Sequence, residues 1–246
     1  IFSVSLVLVL IYCFWASRLL GQDGPSAASL AQGGIRHNGF IGLAVLFDMF
    51  GLPGQEVGAL IIAVFLPPTN FLSVLSVSVL VRKKQAHSLS ALITKELVRN
   101  PMLIAVSIGL LINVLDFPVP HILDQSMAFL SRAALPMLLL SIGASLSIRA
   151  LKGNWLVLMV ALSFKLLVFP ALFLAGALWF NLTPLVTVCL VVFGALPTAV
   201  SAYPFIHQMG GNAKLMADII TLQTLASLIG LTFWASLAIH ITGLAL

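Results

Sequence analysis

Lys165 lies ten residues into an unbroken apolar stretch that begins at Trp155, about 15 Å deep at the ~1.5 Å rise per residue of an α-helix. An ionisable side chain at that depth in hydrocarbon is a candidate for function. Its other reading is a lysine tied to backbone carbonyls or to a helix C-terminus. No Asp or Glu falls near the middle of an apolar stretch. Asp48 stands near an end, and Asp218 follows Lys214 at the spacing of an i, i+4 pair. A buried cation without a buried acid favours an anionic ligand. Neutral hydrogen-bonding groups for a carboxylate are available in Asn38, Thr198, Ser201 and Tyr203.

Two of these groups flank a second unusual feature, the segment from Gly194 to Pro204, which carries Pro197 and Pro204 among small residues. Each proline lacks an N–H and clashes with the carbonyl four residues back. Inside a membrane such a break is tolerated only where the freed backbone faces protein or a watery cavity. A ligand site and a kink between packed helices are both consistent with it. Half-helix N-termini at such a break bring free N–H donors and partial positive charge, which suit an anion.

The elements that hold these residues follow from composition. The chain is 61% hydrophobic and 8% charged, with mean hydropathy +1.15, well outside the range of soluble domains. Apolar runs of ~20 residues, the length that crosses a ~30 Å hydrocarbon core, recur along it. They read as eight spans, at 1–17, 27–50, 57–81, 100–117, 124–148, 155–180, 184–209 and 214–240. Period-two alternation is absent, which argues against a transmembrane barrel. The fold class is an all-α polytopic membrane protein. Residue 1 is Ile, already inside an apolar span, so a truncated N-terminus is expected.

Charge orients the spans. Arg82, Lys83, Lys84, Lys95 and Arg99 share one connection, Arg149 and Lys152 a second, Lys214 a third, while Arg18 and Arg36 flank an earlier one. Counting spans alternately puts all four on one side. The other side has Glu56, Asp116 and Asp124 and no Lys or Arg. The positive-inside rule makes the basic side cytoplasmic and the C-terminus external. The net charge of +5 is then a topology signal, and no nucleic-acid partner is implied. His37 and His207 are placed near the cytoplasmic side. Trp15, Trp155, Trp179 and Trp234 fall near span ends, as an aromatic belt requires.

Catalytic and metal patterns are missing from the sequence. Cys13 and Cys189 both sit in apolar spans as small hydrophobes. There is no phosphate-binding glycine loop and no zinc-type histidine motif. No enzyme activity, cofactor or metal site is expected.

Residues 38–51 and 197–210 can be set against each other. Both begin at a helix-breaking, small-residue start and end in Met near Gly. Each is followed by a span with a polar interruption, Pro67-Pro68-Thr69-Asn70 in one case and Gln223, Thr224 and Ser227 in the other. The two halves enter the membrane in opposite senses, the mark of an inverted-repeat secondary transporter with its site at the midplane. Five spans in the second half against three in the first imply two further spans in the complete repeat.

At these positions the chain resembles the auxin efflux carrier family, in its bacterial branch of malonate- and malate-type carriers. The resemblance is carried by Arg36-His37-Asn38-Gly39-Phe40-Ile41-Gly42, Leu66-Pro67-Pro68-Thr69-Asn70, Asn100-Pro101-Met102-Leu103-Ile104, the stretch from Ala134 through Pro136, Ser141, Gly143 and Ser145 to Leu146, Ala195-Leu196-Pro197-Thr198-Ala199, Gly210 to Ala217, and Gln223 to Ser227. It implies ten helices in two inverted five-helix repeats, a fold like that of bile-acid symporters, with broken fourth and ninth helices crossing at the substrate. Eight of the ten would be present: residues 1–81 as the last three helices of the first repeat, 82–99 as a cytoplasmic linker, and 100–246 as the second repeat.

By the same resemblance Asn38 matches the asparagine at the first break that contacts a carboxylate, and Pro197 the crossover proline of the second. The usual proline of the first break is missing here, which leaves Gly39 and Gly42 to supply its flexibility. Ser141, Gly143 and Ser145 fall on a helix that lines the site in such proteins, and close helix packing accounts for them equally. The expected substrate-binding set is Asn38, Gly39, Ser141, Ser145, Lys165, Pro197, Thr198, Ser201 and Tyr203, supported at the breaks by Pro67, Pro68, Asn70 and Gln223. The reading is a secondary carrier or facilitator of small organic anions in a bacterial inner membrane, with the bilayer and its substrate as partners and a homodimer as an open assembly. Sodium-coupled symport of the bile-acid type and a non-transporting receptor of the same fold are the alternatives.

Overall fold

The structure is a computed structural model that describes residues 1–81, 101–145 and 155–244. Its elements are α1 (Phe2–Leu19), α2 (Gly24–Ile35), α3 (Gly39–Leu80), α4 (Pro101–Val114), α5 (His121–Ser145), α6 (Trp155–Ser163), a π-helical turn (Phe164–Val168), α7 (Phe169–Trp179), α8 (Pro184–Gly194), α9 (Ala202–Met209) and α10 (Ala213–Thr242). No strand occurs among the described residues. Four stretches are long and apolar enough to cross a membrane: Phe2–Leu19, Gly24–Leu80, Trp155–Trp179 and Ala213–Thr242. The all-α membrane architecture read from composition is the architecture found.

One of those stretches is a hairpin and contains a break. Within α3 the backbone leaves helical geometry at Gly51, with φ 63° and ψ −145°, a region essentially reserved for glycine. In a straight helix Gly58 would stand about 18 Å from Leu46 at ~1.5 Å per residue. Instead a Cβ placed on Gly58 would lie 2.9 Å from Leu46 Cδ1 and 3.2 Å from Leu43 Cδ2. The arms 39–50 and 52–80 therefore fold back on each other. Pro53, in the first turn of the second arm, costs nothing there because its N–H would be unpaired anyway.

Pro67 and Pro68 do not interrupt α3, since Gly51 is the residue with non-helical torsions inside it. The helix absorbs both prolines, as membrane helices do when neighbours cover the freed carbonyls.

The π-helical turn has a local cause and a tertiary use. Phe169 N–H reaches back five residues to Phe164 O, which inserts one extra residue into the helix. Pro170 offers no N–H to the Leu166 carbonyl four residues before it. The Trp234 indole takes that carbonyl at 2.6 Å. Trp234 is accordingly buried, at 8% exposure, and is not part of an interfacial belt; tertiary hydrogen bonding outweighs the aromatic preference for the interface.

Around these features α1, α2, α3, α6, α7, α8 and α10 pack into one body, with an apolar core that includes Leu6, Leu30, Leu46, Phe65, Phe164, Phe173, Val191 and Ile219. Elements from the two ends of the sequence interleave in it. By contrast, nearly all the described side chains of α4 and α5 are exposed.

The N-termini of α2 and α10 meet at one end of the body. Asn212 N–H donates to Pro25 O at 3.1 Å, Asn212 Nδ2 to Ser26 Oγ at 3.0 Å, and Ser29 Oγ to Asn212 O at 2.9 Å. The chain segments after Arg18 and before Lys214 are thus brought to one end of the body, while the basic connections at 82–99 and 149–152 lie outside the described residues.

Candidate functional site

Two interruptions meet in the middle of this body. The first runs from Arg36 to Asn38, between α2 and α3. Arg36 is extended (φ −86°, ψ 128°) and Asn38 has φ −81°, ψ 84°. The second runs from Ala195 to Ser201, between α8 and α9. Each leaves helix-terminal backbone groups without intrahelical partners, and in a membrane these must be satisfied within the protein.

The breaks satisfy each other. Asn38 N–H donates to Pro197 O at 2.9 Å. In return Thr198 Oγ1 lies 2.6 Å from Gly33 O. Gln223 completes the junction: its Oε1 accepts from Thr198 N at 3.1 Å, and its Nε2 donates to Gly33 O at 3.2 Å and to Ala161 O at 2.9 Å. The Thr198 hydroxyl is also 2.6 Å from Gln223 Oε1. With one proton it serves Gly33 O or Gln223 Oε1 at a time.

Lys165 joins from the π-helical turn. Its ammonium is fully buried and donates to Gly34 O at 3.2 Å and Arg36 O at 2.9 Å, 5.2 Å from the Phe169 ring centroid. The carbonyl-bound reading of this lysine describes its contacts. A cation at the C-terminal end of α2 also opposes the partial negative charge of that helix end.

Asn38 caps the arm 39–50, accepting from Ile41 N–H through Oδ1 at 3.3 Å, while its Nδ2 makes no hydrogen bond among the described residues. Gly39, Pro197 and Thr198 are buried beside it. Gly42 has ordinary helical φ and contributes by closeness: a Cβ there would meet Leu196 Cδ1 at 2.7 Å and Phe193 at 3.5 Å. Neither Gly39 nor Gly42 adopts a positive φ. The first break is therefore made by non-helical backbone at Arg36 and Asn38, and the expected glycine flexibility is not its basis.

Two residues assigned to the cytoplasmic side belong here instead. Arg36 is buried at 8% exposure, its guanidinium carbon 5.0 Å from the Phe205 ring centroid. His37, 7% exposed, stacks on Phe193 at 5.5 Å and meets Phe65 and Phe169 edge-on at 4.8 and 4.6 Å. Twelve residues of α2 precede them, which carries the chain about 18 Å inward at ~1.5 Å per residue. The sequence count treated Arg36 as a flank of a connection; helical rise places it at the crossing.

The remaining expected residues are scattered. Ser201 and Tyr203 are exposed at the start of α9, with Tyr203 stacked on His207 at 6.3 Å. Asn70 is 3% exposed and its Nδ2 has no hydrogen-bond partner, so it does not tie the break as Gln223 does. Pro67 and Pro68 lie about one turn from it on α3, partly buried. The side chains of Ser141, Gly143 and Ser145 lie outside the described residues. Asp218 is buried with Oδ1 unpartnered, and the exposed Lys214, four residues before it, acts on it as a neighbouring positive charge.

No group of three or more metal-ligating side chains occurs among the described residues. The crossing instead offers uncharged donors, two half-helix N-termini and two cations.

A family model described as a membrane transport protein matches residues 76–235. The chain belongs to this family, the auxin efflux carriers. Among its curated relatives is an uncharacterized transporter of Methanocaldococcus jannaschii, 25% identical over 201 residues, which covers 80% of this chain and 64% of the relative. A second, an uncharacterized transporter of Methanothermobacter thermautotrophicus, is 25% identical over 229 residues, 90% of this chain and 71% of the relative. The chain thus spans 64% and 71% of the lengths of these two relatives. In this member of the auxin efflux carrier family the crossing of α2–α3 with α8–α9 is the candidate site.

Proposed function

We propose that this chain is the part of a carrier that binds a small organic carboxylate at the helix crossing and moves it by alternating access. The observation that carries the reading is the meeting of the two breaks, through the Asn38 N–H and Pro197 O, with buried Lys165 and Arg36 beside them. Two helix N-termini, at Gly39 and Ala202, begin there and favour negative charge.

In this reading Asn38 Nδ2, Ser201, Tyr203 and the free amides of the two N-terminal turns hold the carboxylate. Gly39 and Pro197 let backbone approach it, Thr198 and Gln223 fix the second break, and Lys165 and Arg36 set the sign of the field. Ser141 and Ser145 would line the opposing wall. Asn70, with Pro67 and Pro68, would support the first break from the arm 52–80. The buried acid, Asp218, stands five residues before Gln223 on α10, about 7.5 Å along the helix by its rise per residue. The cytoplasmic face would be the one carrying Arg18 and Lys214, with the C-terminus outside.

Proteoliposomes carrying the whole protein test the reading with labelled malonate, malate and an indole acid. The expected result is saturable uptake of at least one carboxylate, unchanged when sodium is replaced by potassium, with an amine of similar size excluded. Uptake that needs sodium would transfer the reading to an anion symporter. Saturable binding without flux would make the protein a receptor.

A further inference from the structure

We infer that Lys165 is a positioning residue, which holds the first helix break in the conformation that presents Asn38 to both the second break and the ligand. The inference deepens the carboxylate reading and rests on it only for its transport readout.

The argument begins with where the ammonium goes. Lys165 Nζ reaches the carbonyls of Gly34 and Arg36, the last turn of α2 and the first residue of the break. It leaves Asn38 two residues further on. Of three ammonium N–H groups, two are engaged with backbone that has no helical partner. The groups the lysine holds are carbonyls at the C-terminal end of α2 and at Arg36, not the N–H groups of the α3 N-terminus that would face an anion.

The break is held from several sides. His37 is packed among Phe193, Phe65 and Phe169, with Nδ1 3.1 Å from Ile35 O. Asn38 N–H is committed to Pro197 O. Between these two, the Lys165 ammonium donates to the carbonyls of Gly34 and Arg36. Without it both carbonyls lose this donor, and the cheapest relief is rotation of the 34–38 backbone.

The lysine is itself delivered by a specific device. The π-helical turn Phe164–Val168 contains it, and the Trp234–Leu166 bond ties that turn to α10. Gln223, on the same α10, ties the second break. Both breaks are thus referred to one helix, the second directly and the first through the lysine-bearing turn.

Two measurements test this on the full chain in nanodiscs and proteoliposomes. Hydrogen exchange is compared between wild type, Lys165→Met and Lys165→Gln. Loss of protection of at least tenfold across residues 34–42 in Lys165→Met, with 184–194 unchanged and partial recovery in Lys165→Gln, is expected. Unchanged protection at 34–42 overturns the inference whether or not any carboxylate is transported.

The second measurement is a double-mutant cycle on carboxylate uptake. Lys165→Met and Asn38→Ala are each expected to raise KM about tenfold or more, and the double variant to match Asn38→Ala alone, because the lysine acts through the asparagine. Effects that multiply would mean that Lys165 touches the substrate itself, and the positioning role would fall. A wild type that moves no carboxylate sinks the substrate reading and leaves the exchange experiment to decide this one.

Discussion

The Asn38 amide donates to the Pro197 carbonyl at 2.9 Å, so one helix break supplies the hydrogen-bond partner of the other. Backbone that neither α2 nor α8 can satisfy inside itself becomes the bond between the two halves of the sequence. The arrangement explains how a crossing of unwound segments persists in a nonpolar body, and it engages Asn38 through its backbone N–H and its Oδ1.

Asn38 separates two roles that a substitution can pull apart. Asn38→Asp keeps an oxygen to cap Ile41 N–H, and Asp caps helices as well as Asn. It also puts a negative charge where the substrate carboxylate would sit. Carboxylate uptake should fall to background while the thermal midpoint stays within a few degrees of wild type. Retained uptake in a folded Asp variant would remove Asn38 from the site.

Gln223 should matter mainly for stability. Its amide bonds Thr198 N–H, Gly33 O and Ala161 O. Gln223→Leu leaves these buried backbone groups short of a partner, at about 1–3 kcal/mol for each unsatisfied group. Because Gly33 O keeps the Thr198 hydroxyl as an alternative donor, a total near the low end, about 2–4 kcal/mol, is expected. Chemical unfolding in mild detergent measures it; a loss under about 0.5 kcal/mol would show that water replaces the side chain.

Gly42 sets the closeness of the two broken helices. A Cβ there would lie 2.7 Å from Leu196 Cδ1. Gly42→Ala should lose about 1–3 kcal/mol through overpacking. Adding Leu196→Ala removes the opposing isopropyl group at its own cavity cost, and the pair should lose clearly less than the sum of the two single variants. Independent, additive losses in the pair would argue that the contact is not the cause.

Gly51 provides a control away from the crossing. Its φ of 63° with ψ −145° excludes a side chain on backbone grounds, although no atom lies within 4 Å of a Cβ placed there. Gly51→Ala should cost about 1–3 kcal/mol of strain and leave the KM for a carboxylate unchanged. An altered KM would mean that the reversal of α3 communicates with the site.

Much of the architecture was legible in the chain itself. Runs of apolar residues of membrane-spanning length contained the described helices, because the hydrocarbon core sets the length of chain that must be apolar to cross it. The proline-bearing segment at Pro197 marked the second break, since proline removes a donor wherever it stands. The first break carried no such mark. Asn38 was placed at it by the matched start of residues 38–51 and by the family resemblance, whereas Arg36 and His37 read as a cytoplasmic flank, and only helical rise from Gly24 puts them at the depth of the crossing.

What remained was decided in three dimensions. Pro67 and Pro68 look like stronger breakers than Arg36 or Asn38, yet α3 runs through them and opens at Gly51 instead. Proline's local penalty is a constant of the residue, whereas the supply of substitute partners depends on what packs alongside. The sequence by itself determined the all-α membrane class, a lysine deep in an apolar stretch and the second break. Tertiary structure decided which carbonyls Lys165 holds, that Gln223 and not Asn70 ties a break, and that the two breaks bond each other. Each of those depends on residues far apart in sequence, as with Gly33 and Thr198 at 165 positions, and a hydrogen bond carries no trace in local composition.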